Sequence, residues 1–208
     1  MRKILFAGVM ALVGMMTVGC QQGGRQQTVT GTCRIHGTIP EQYNDKRIFL
    51  VPLTGPKTAE YVDSVEVKNG QFEFETDTAM MAQILMDYHY RMGLQPLLVV
   101  TEPGDVTVTI DSISHATGTL QNDSLEKWKM MTEKHNSQMF MLRQQGRTRQ
   151  ADSIHLAYKN ESRRIAQNLG NGLLHDFLDN LFPHTYKKVM PDGTTVTIDA
   201  DSHEQVSK

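Results

Sequence analysis

Apolar positions recur with a period of two over residues 28–120 and with a longer, helical period after that, and this change divides the chain. In "CRIHGTI", Cys33, Ile35, Gly37 and Ile39 fall on one face of a strand and Arg34, His36 and Thr38 on the other. "KRIFLVPL" (Lys46 to Leu53) and "YVDSVEVKNGQFEF" (Tyr61 to Phe74) continue the series. Asn69 and Gly70 lie between two alternating runs and predict a tight hairpin, since both residues tolerate positive φ. Ile84, Met86, Tyr88 and Tyr90 form a further single-face set. "LLVVTEPGDVTVTID" combines a buried run, a Pro103/Gly104 turn and the alternation of Val106, Val108 and Ile110. Seven or eight short strands at this spacing predict a two-layer antiparallel β-sandwich.

After Leu120 the pattern predicts about three helices, so the fold class expected is mainly β with an α-helical C-terminal arm. "NDSLEKWKMMTEK" offers Asp123 as a cap with Glu126 three residues on to bond back to it. Leu125, Trp128, Met139 and Leu142 suit one face of a first helix that ends at Gly146. Ile154, Tyr158, Ile165 and Leu169 mark a second, ending near Gly170. Leu173, Leu174, Phe177, Leu178, Leu181 and Phe182 mark a short third one closed by Pro183. These stripes read as packing surfaces.

The N-terminus has a different pattern. Arg2 and Lys3 precede an uncharged, mostly apolar run from Ile4 to Val18, with the small residue Gly19 after it, which is the layout of an export signal. About fifteen apolar residues make a helix of about 22 Å, too short for a bilayer core that needs roughly 20 residues. In "MMTVGCQQGG" a cysteine follows the small residue, and this stretch resembles the lipobox of bacterial lipoproteins, with Thr17 where the family most often has Leu. The resemblance implies lipidation at Cys20, and two or three acyl chains anchor stably where one does not. Gln21 and Gln22 stand where some lipoproteins carry an acidic residue; by resemblance to known sorting patterns this implies the outer membrane, with the body in the periplasm. The divisions expected are a signal peptide at 1–19, a lipidated tether at 20–27, the sandwich at 28–120, the helical arm at 121–183 and a hairpin or tail at 184–208.

A net charge of -2 and a pI near 6.4 argue against a nucleic-acid partner bound by bulk positive charge. The average hides a split: residues 41–123 hold thirteen acidic and five basic side chains, residues 126–164 four acidic and nine basic. Such a split suits two segments that face each other, a basic segment in contact with an anionic surface such as lipid headgroups, or two solvated faces.

"CRIHGTI", "IFLVPL", "VDSVEVKNGQFEFE", "LLVVTEPGDVTVTID" and "ATGTLQNDSLEKW", taken in order, are similar to a domain of unknown function in envelope lipoproteins. That domain commonly precedes a thioredoxin-like domain in thiol-disulfide interchange proteins. The resemblance reaches across about 28 to 128 and implies a periplasmic β-sandwich without assigned catalytic residues. "PDGTTVTID", with Pro191, Asp192 and Gly193 as its turn, looks like the entry hairpin of the thioredoxin-like part. The paired cysteines of that part are not in this sequence, so the chain is not expected to carry out thiol chemistry alone.

Candidate chemistry is sparse. Cys33, beside Ile35 and Ile39, reads as a small buried apolar group. The histidines (36, 89, 115, 135, 155, 175, 184 and 203) are dispersed, without the spacing of a zinc helix. His175 with Asp176 and Asp179 is the nearest local cluster and reads as a surface hydrogen bond or ion pair. Glu73 and Glu75, opposite Phe72 and Phe74, suit a solvated face, and Met130, Met131, Met139 and Met141 suit gap-filling core. No catalytic residue, cofactor or metal site is expected. The reading is a non-catalytic, membrane-anchored binding or scaffold module for an envelope protein or cell-wall partner, with an open small-molecule ligand; the alternative is an accessory member of the thiol-disulfide interchange group.

Overall fold

The computed structural model describes residues 31–58, 60–86, 94 and 96–201. Eight strands among them form two four-stranded sheets: β1 (Cys33–Thr38), β2 (Arg47–Pro52), β3 (Asp63–Glu66), β4 (Gln71–Thr76), β5 (Met80–Leu85), β6 (Leu97–Thr101), β7 (Gly104–Thr109) and β8 (His115–Thr117). An outer sheet runs in the order β4-β1-β7-β8, and a middle sheet in the order β3-β2-β5-β6. The alternation read from the sequence decides which side chains meet between them. Cys33, Ile35, Phe72, Phe74, Val106 and Val108 from the outer sheet pack against Ile48, Leu50, Ala82, Ile84, Leu97 and Val99 from the middle one. Each fully buried aliphatic side chain contributes about 1.5–3 kcal/mol.

The sandwich is antiparallel except at its centre, where β1 and β7 pair in parallel, with Ile35 opposite Val106. This pairing departs from the all-antiparallel expectation. It follows from the chain changing sheets repeatedly: β1 opens the outer sheet, and β4 and then β7 return to it after separate excursions through the middle one. Asn69 and Gly70 do form the predicted turn, with φ of 53° and 69°. That turn joins strands of different sheets, and Ile39 N–H donates to the Gly70 carbonyl at 2.9 Å to hold the corner. At Gly37, opposite Phe72 in the register, an added Cβ would fall inside the Phe72 ring, so this inward position has room only for glycine. Tyr88 and Tyr90 lie outside the described residues.

The helices are α1 (Leu120–Gln144), α2 (Thr148–Leu169) and α3 (Leu173–Leu181). They form a third layer on the far side of the middle sheet. Met81 and Val100 point away from the sandwich core into a second cluster with Leu125, Trp128, Ala166, Leu174 and Leu178. This accounts for the unbroken "LLVV" of β6, because a strand covered on both faces has no need of alternation.

The helix start departs from the reading. Thr119, extended at φ -121°, precedes α1, and Asp123 lies inside the helix with its carboxylate accepting from Gly118 N–H at 2.9 Å. Glu126 turns to β8, where it meets His115 at 2.6 Å. The helix begins early because its first turn is tied to the sheet edge. Asn122, fully buried, accepts from Val100 N–H at 2.9 Å and donates to the Val100 carbonyl at 2.8 Å, serving as the next strand would. Beside it Gln121 donates to Glu102 through backbone and side chain, and its own Oε1 accepts from Leu174 N–H at 2.9 Å, satisfying an early donor of α3. Gly172 leaves room for that glutamine.

Beyond the sheet, α1 and α2 continue as a helical hairpin. Gly146, at φ 67°, closes α1, with Arg147 N–H donating to the Leu142 carbonyl. The tightest positions of α2 are Ala151, Ser162, Arg163 and Ala166, whereas the predicted stripe of Ile154, Tyr158, Ile165 and Leu169 is only partly buried. Small residues let the helix backbones approach, and the larger ones close the flank. Met139 is buried and Met131 packs partly, but Met130 and Met141 are exposed, contrary to the core reading. At Met141 α1 has outrun the sheet and, among the described residues, has α2 to pack against.

After α3, β9 (Thr185–Val189) and β10 (Thr195–Asp199) make an antiparallel hairpin. The turn at Pro191, Asp192 and Gly193 forms as predicted, with Gly193 at φ 84°. All five β9 side chains are exposed.

Candidate functional site

Cys20, the predicted lipidation residue, lies outside the described residues together with the apolar run before it. Cys33 is 2% exposed in the sandwich core, at the start of β1. Burial, reinforced by the charges of Glu102 and Asp105, pushes its thiol up to about 11. A thiol held neutral in this way is a poor nucleophile at neutral pH, in keeping with the packing role read from the sequence.

The carboxylates and histidines of the outer sheet form a solvated ladder. His36 lies 3.1 Å from Glu73 and 3.8 Å from Asp105, and Arg34 lies 3.8 Å from Glu75. Exposed pairs of this kind contribute at most about 1 kcal/mol each. His175 pairs at 2.9 Å with its neighbour Asp176, one of the two partners expected. Among the described residues no three His, Cys, Asp or Glu side chains converge as metal ligands.

Two denser clusters were not legible in the sequence. Where α1 meets β8, Glu126 takes His115 at 2.6 Å and Lys129 at 3.0 Å, while Lys129 also donates to the Ser114 carbonyl. Burial would raise the Glu126 carboxyl, but the hydrogen bonds from His115 and Lys129 outweigh it and hold the group below its usual range. In the helical layer, Arg163 is 4% exposed. Its Nε and Nη2 donate to the carbonyls of Phe182 and Pro183, and its Nη1 donates to Asp201 at 2.7 Å. Lys159 stands 3.1 Å from the same carboxylate. Arg163 thereby closes the end of α3 and fastens the terminal hairpin.

Further along the helical hairpin, His135 stacks on Tyr158 at 4.1 Å, and its Nε2 lies 3.3 Å from His155 Nδ1. Burial, joined by His155 and Arg143, holds His135 below its ordinary pKa although Asn136 acts the other way. Next comes the free end. Asn136, Met139, Phe140, Arg143 and Gln144 line a shallow open groove there, and Phe140 and Met141 are 64% and 59% exposed. Arg143, Arg147 and Arg149 surround them, all exposed. This apolar and basic end is the part of the described surface best suited to a contact. Its signal in the sequence was the positive charge of residues 126–164.

Residues 33–125 match the family model of a domain of unknown function, DUF4369. The DUF4369 stretch runs from the first residue of β1 into the second turn of α1, so it takes in both sheets and the Asn122 joint. The rest of the helical layer and the terminal hairpin lie after it. Neither a curated protein nor a solved structure matches the chain.

Proposed function

We propose that this protein is a membrane-anchored lipoprotein of the cell envelope, held at Cys20 on the periplasmic side of the outer membrane. Its body works as a non-catalytic binding or scaffold module for a protein or cell-wall partner. The observation that carries the reading is the junction at Met15–Gly24, where an apolar leader meets a small residue, a cysteine and a Gln/Gly tract. The body supports it: Cys33 is committed to the core, the outer-sheet carboxylates are paired in solvent, and the helical layer extends an exposed apolar end beyond the sandwich. Replacement of Cys20 by Ala is expected to release the protein from membranes and abolish acyl labelling. Continued sedimentation of that variant with membranes would refute the anchor. Crosslinking in intact cells is expected to capture a discrete partner, and a protein that stays monomeric without crosslinks would argue against the binding role.

A second reading, an accessory role in thiol-disulfide interchange, draws on the hairpin at Thr185–Asp199, which forms as an exposed two-stranded unit clamped by Arg163. In that role Cys33 serves packing, and native protein is expected to react with thiol reagents far more slowly than unfolded protein. Loss of the protein should then shift the redox state of envelope thiols; an unchanged state removes this reading.

A further inference from the structure

We propose that the free end of the α1–α2 hairpin is a second membrane contact, seated on anionic phospholipid headgroups with Phe140 and Met141 at the interface. This rests on the anchored reading above and adds to it where the body lies.

Three observations converge on this surface. The first is charge. From Lys134 to Ala151 the chain carries Lys134, Arg143, Arg147 and Arg149 and no Asp or Glu, the flanking carboxylates being Glu133 and Asp152. None of these three arginines forms an ion pair among the described residues, although Arg164 and Arg163 further along α2 do. The second is apolar exposure. Phe140 and Met141 stand out of the same turn that carries Arg143, at 64% and 59% exposure, where a soluble helix end would place polar side chains. A ring and a thioether among arginines is the chemistry of an interfacial helix, in which basic groups meet headgroup phosphates and apolar side chains enter the acyl boundary. No helix among the described residues is long and apolar enough to cross a membrane, so the contact lies on the surface.

The third is reach. The chain enters the body beside the start of α1: Gly104 N–H donates to the Thr32 carbonyl, and Gly104 also lies against Thr119. The 25 residues of α1 carry the free end about 37 Å from that entry. Cys20 to Thr30 is 11 residues, which at full extension span about 36–40 Å. An anchor at Cys20 and a contact at Phe140 can therefore share one membrane plane with α1 lying along it.

The test uses the full lipidated protein, with Phe140→Trp introduced and the parent, whose single tryptophan Trp128 is buried, as reference. Both are placed on vesicles of phosphatidylglycerol with brominated acyl chains, and vesicle flotation reports anchoring independently of fluorescence. The added tryptophan is expected to shift to the blue and lose about half of its emission, with relief in equally brominated phosphatidylcholine vesicles or at about 0.5 M salt. Trp128 should be unaffected. Met141→Trp gives the same reading from the next position, and Arg143→Glu with Arg147→Glu and Arg149→Glu should abolish the quenching without changing helix content. Protein that floats with its added tryptophan unquenched overturns the inference alone, whether the end then proves to pair with a second copy or to stay in water. Protein that fails to float overturns the anchored reading and this inference together.

Discussion

The outer sheet turns Arg34, His36, Glu73 and Glu75 to solvent, whereas the middle sheet turns Met81 and Val100 onto the helices. The inner faces of the two are alike, close-packed aliphatic and aromatic side chains. Only the outer faces differ, and the difference shows in the strands. β1 reads buried-exposed throughout its six residues, while β6 is buried or half-buried at all five. Alternation reports one covered face; its absence in a short run reports two. The continuous "LLVV" therefore announces a third layer before any helix is considered.

The sharpest way to break this comparison is to place the same kind of change on both outer faces. Val100→Asp puts an unpaired carboxylate where the side chain is fully buried against the helices. It is expected to cost about 4 kcal/mol or more, enough to unfold much of the protein. Thr107→Lys, on the exposed face of β7, should stay within about 0.5 kcal/mol. Urea denaturation of the two variants decides the point, and equal effects would mean that the helices do not cover the middle sheet.

The joint between sheet and helix is the next test. Asn122→Leu removes both hydrogen bonds to Val100, leaving the N–H of a buried edge strand without a partner and its C=O with Glu102 N–H at 3.1 Å. The expected loss is about 1–3 kcal/mol, the cost of one buried unsatisfied donor. Asn122→Asp retains an acceptor for the Val100 N–H but brings a charge against the carbonyl, so it should not rescue stability. In the outer sheet, Gly37→Ala drives a methyl group into the Phe72 ring. Overpacking of this kind costs about 1–3 kcal/mol. A partial compensation by Phe72→Leu would locate the strain at that contact.

The joint also shows where sequence reading reaches its limit. Strands, hairpin and helices were legible because each depends on local period and on turn residues such as Asn69-Gly70 and Gly146. Asn122 was not, because a buried asparagine has the same local signature as a loop asparagine; its partner, Val100, is 22 residues away. The one hint was the Thr119-x-x-Asn122 spacing, which competes with Asp123-x-x-Glu126 four residues on and is decided by the sheet edge. The parallel pairing of β1 and β7 is equally non-local. Arg163 read as one more charge on a basic helix, since its partners Phe182, Pro183 and Asp201 belong to other elements. Of the candidate contact surface, the charge was legible and the exposure was not. Whether Phe140 and Met141 are covered depends on how far α1 outruns the sheet.

The smallest effect expected concerns the terminal hairpin, which has no second layer of its own among the described residues and is tied to α2 through Arg163 and Lys159. The hydrogen bond from Arg163, aided by Lys159, holds the Asp201 carboxyl down at about 2 against an ordinary 3.8, although partial burial opposes this. A carboxylate with a depressed pKa stabilises the folded form above its unfolded pKa, and that contribution fades as pH falls through the folded value. The clamp should thus be complete above about pH 4 and lost toward pH 2, with the change confined to β9 and β10. Hydrogen exchange across this window is expected to show β9–β10 amides losing protection before those of the two sheets. Asp201→Asn should bring the low-pH behaviour to neutral pH at that hairpin alone. Had the hairpin packed on the body as the helices pack on the middle sheet, removing the ion pairs of one carboxylate would leave it protected. Early exchange in the variant would show instead that a two-stranded unit with exposed side chains keeps its place through the Asp201 carboxylate and its cations Arg163 and Lys159.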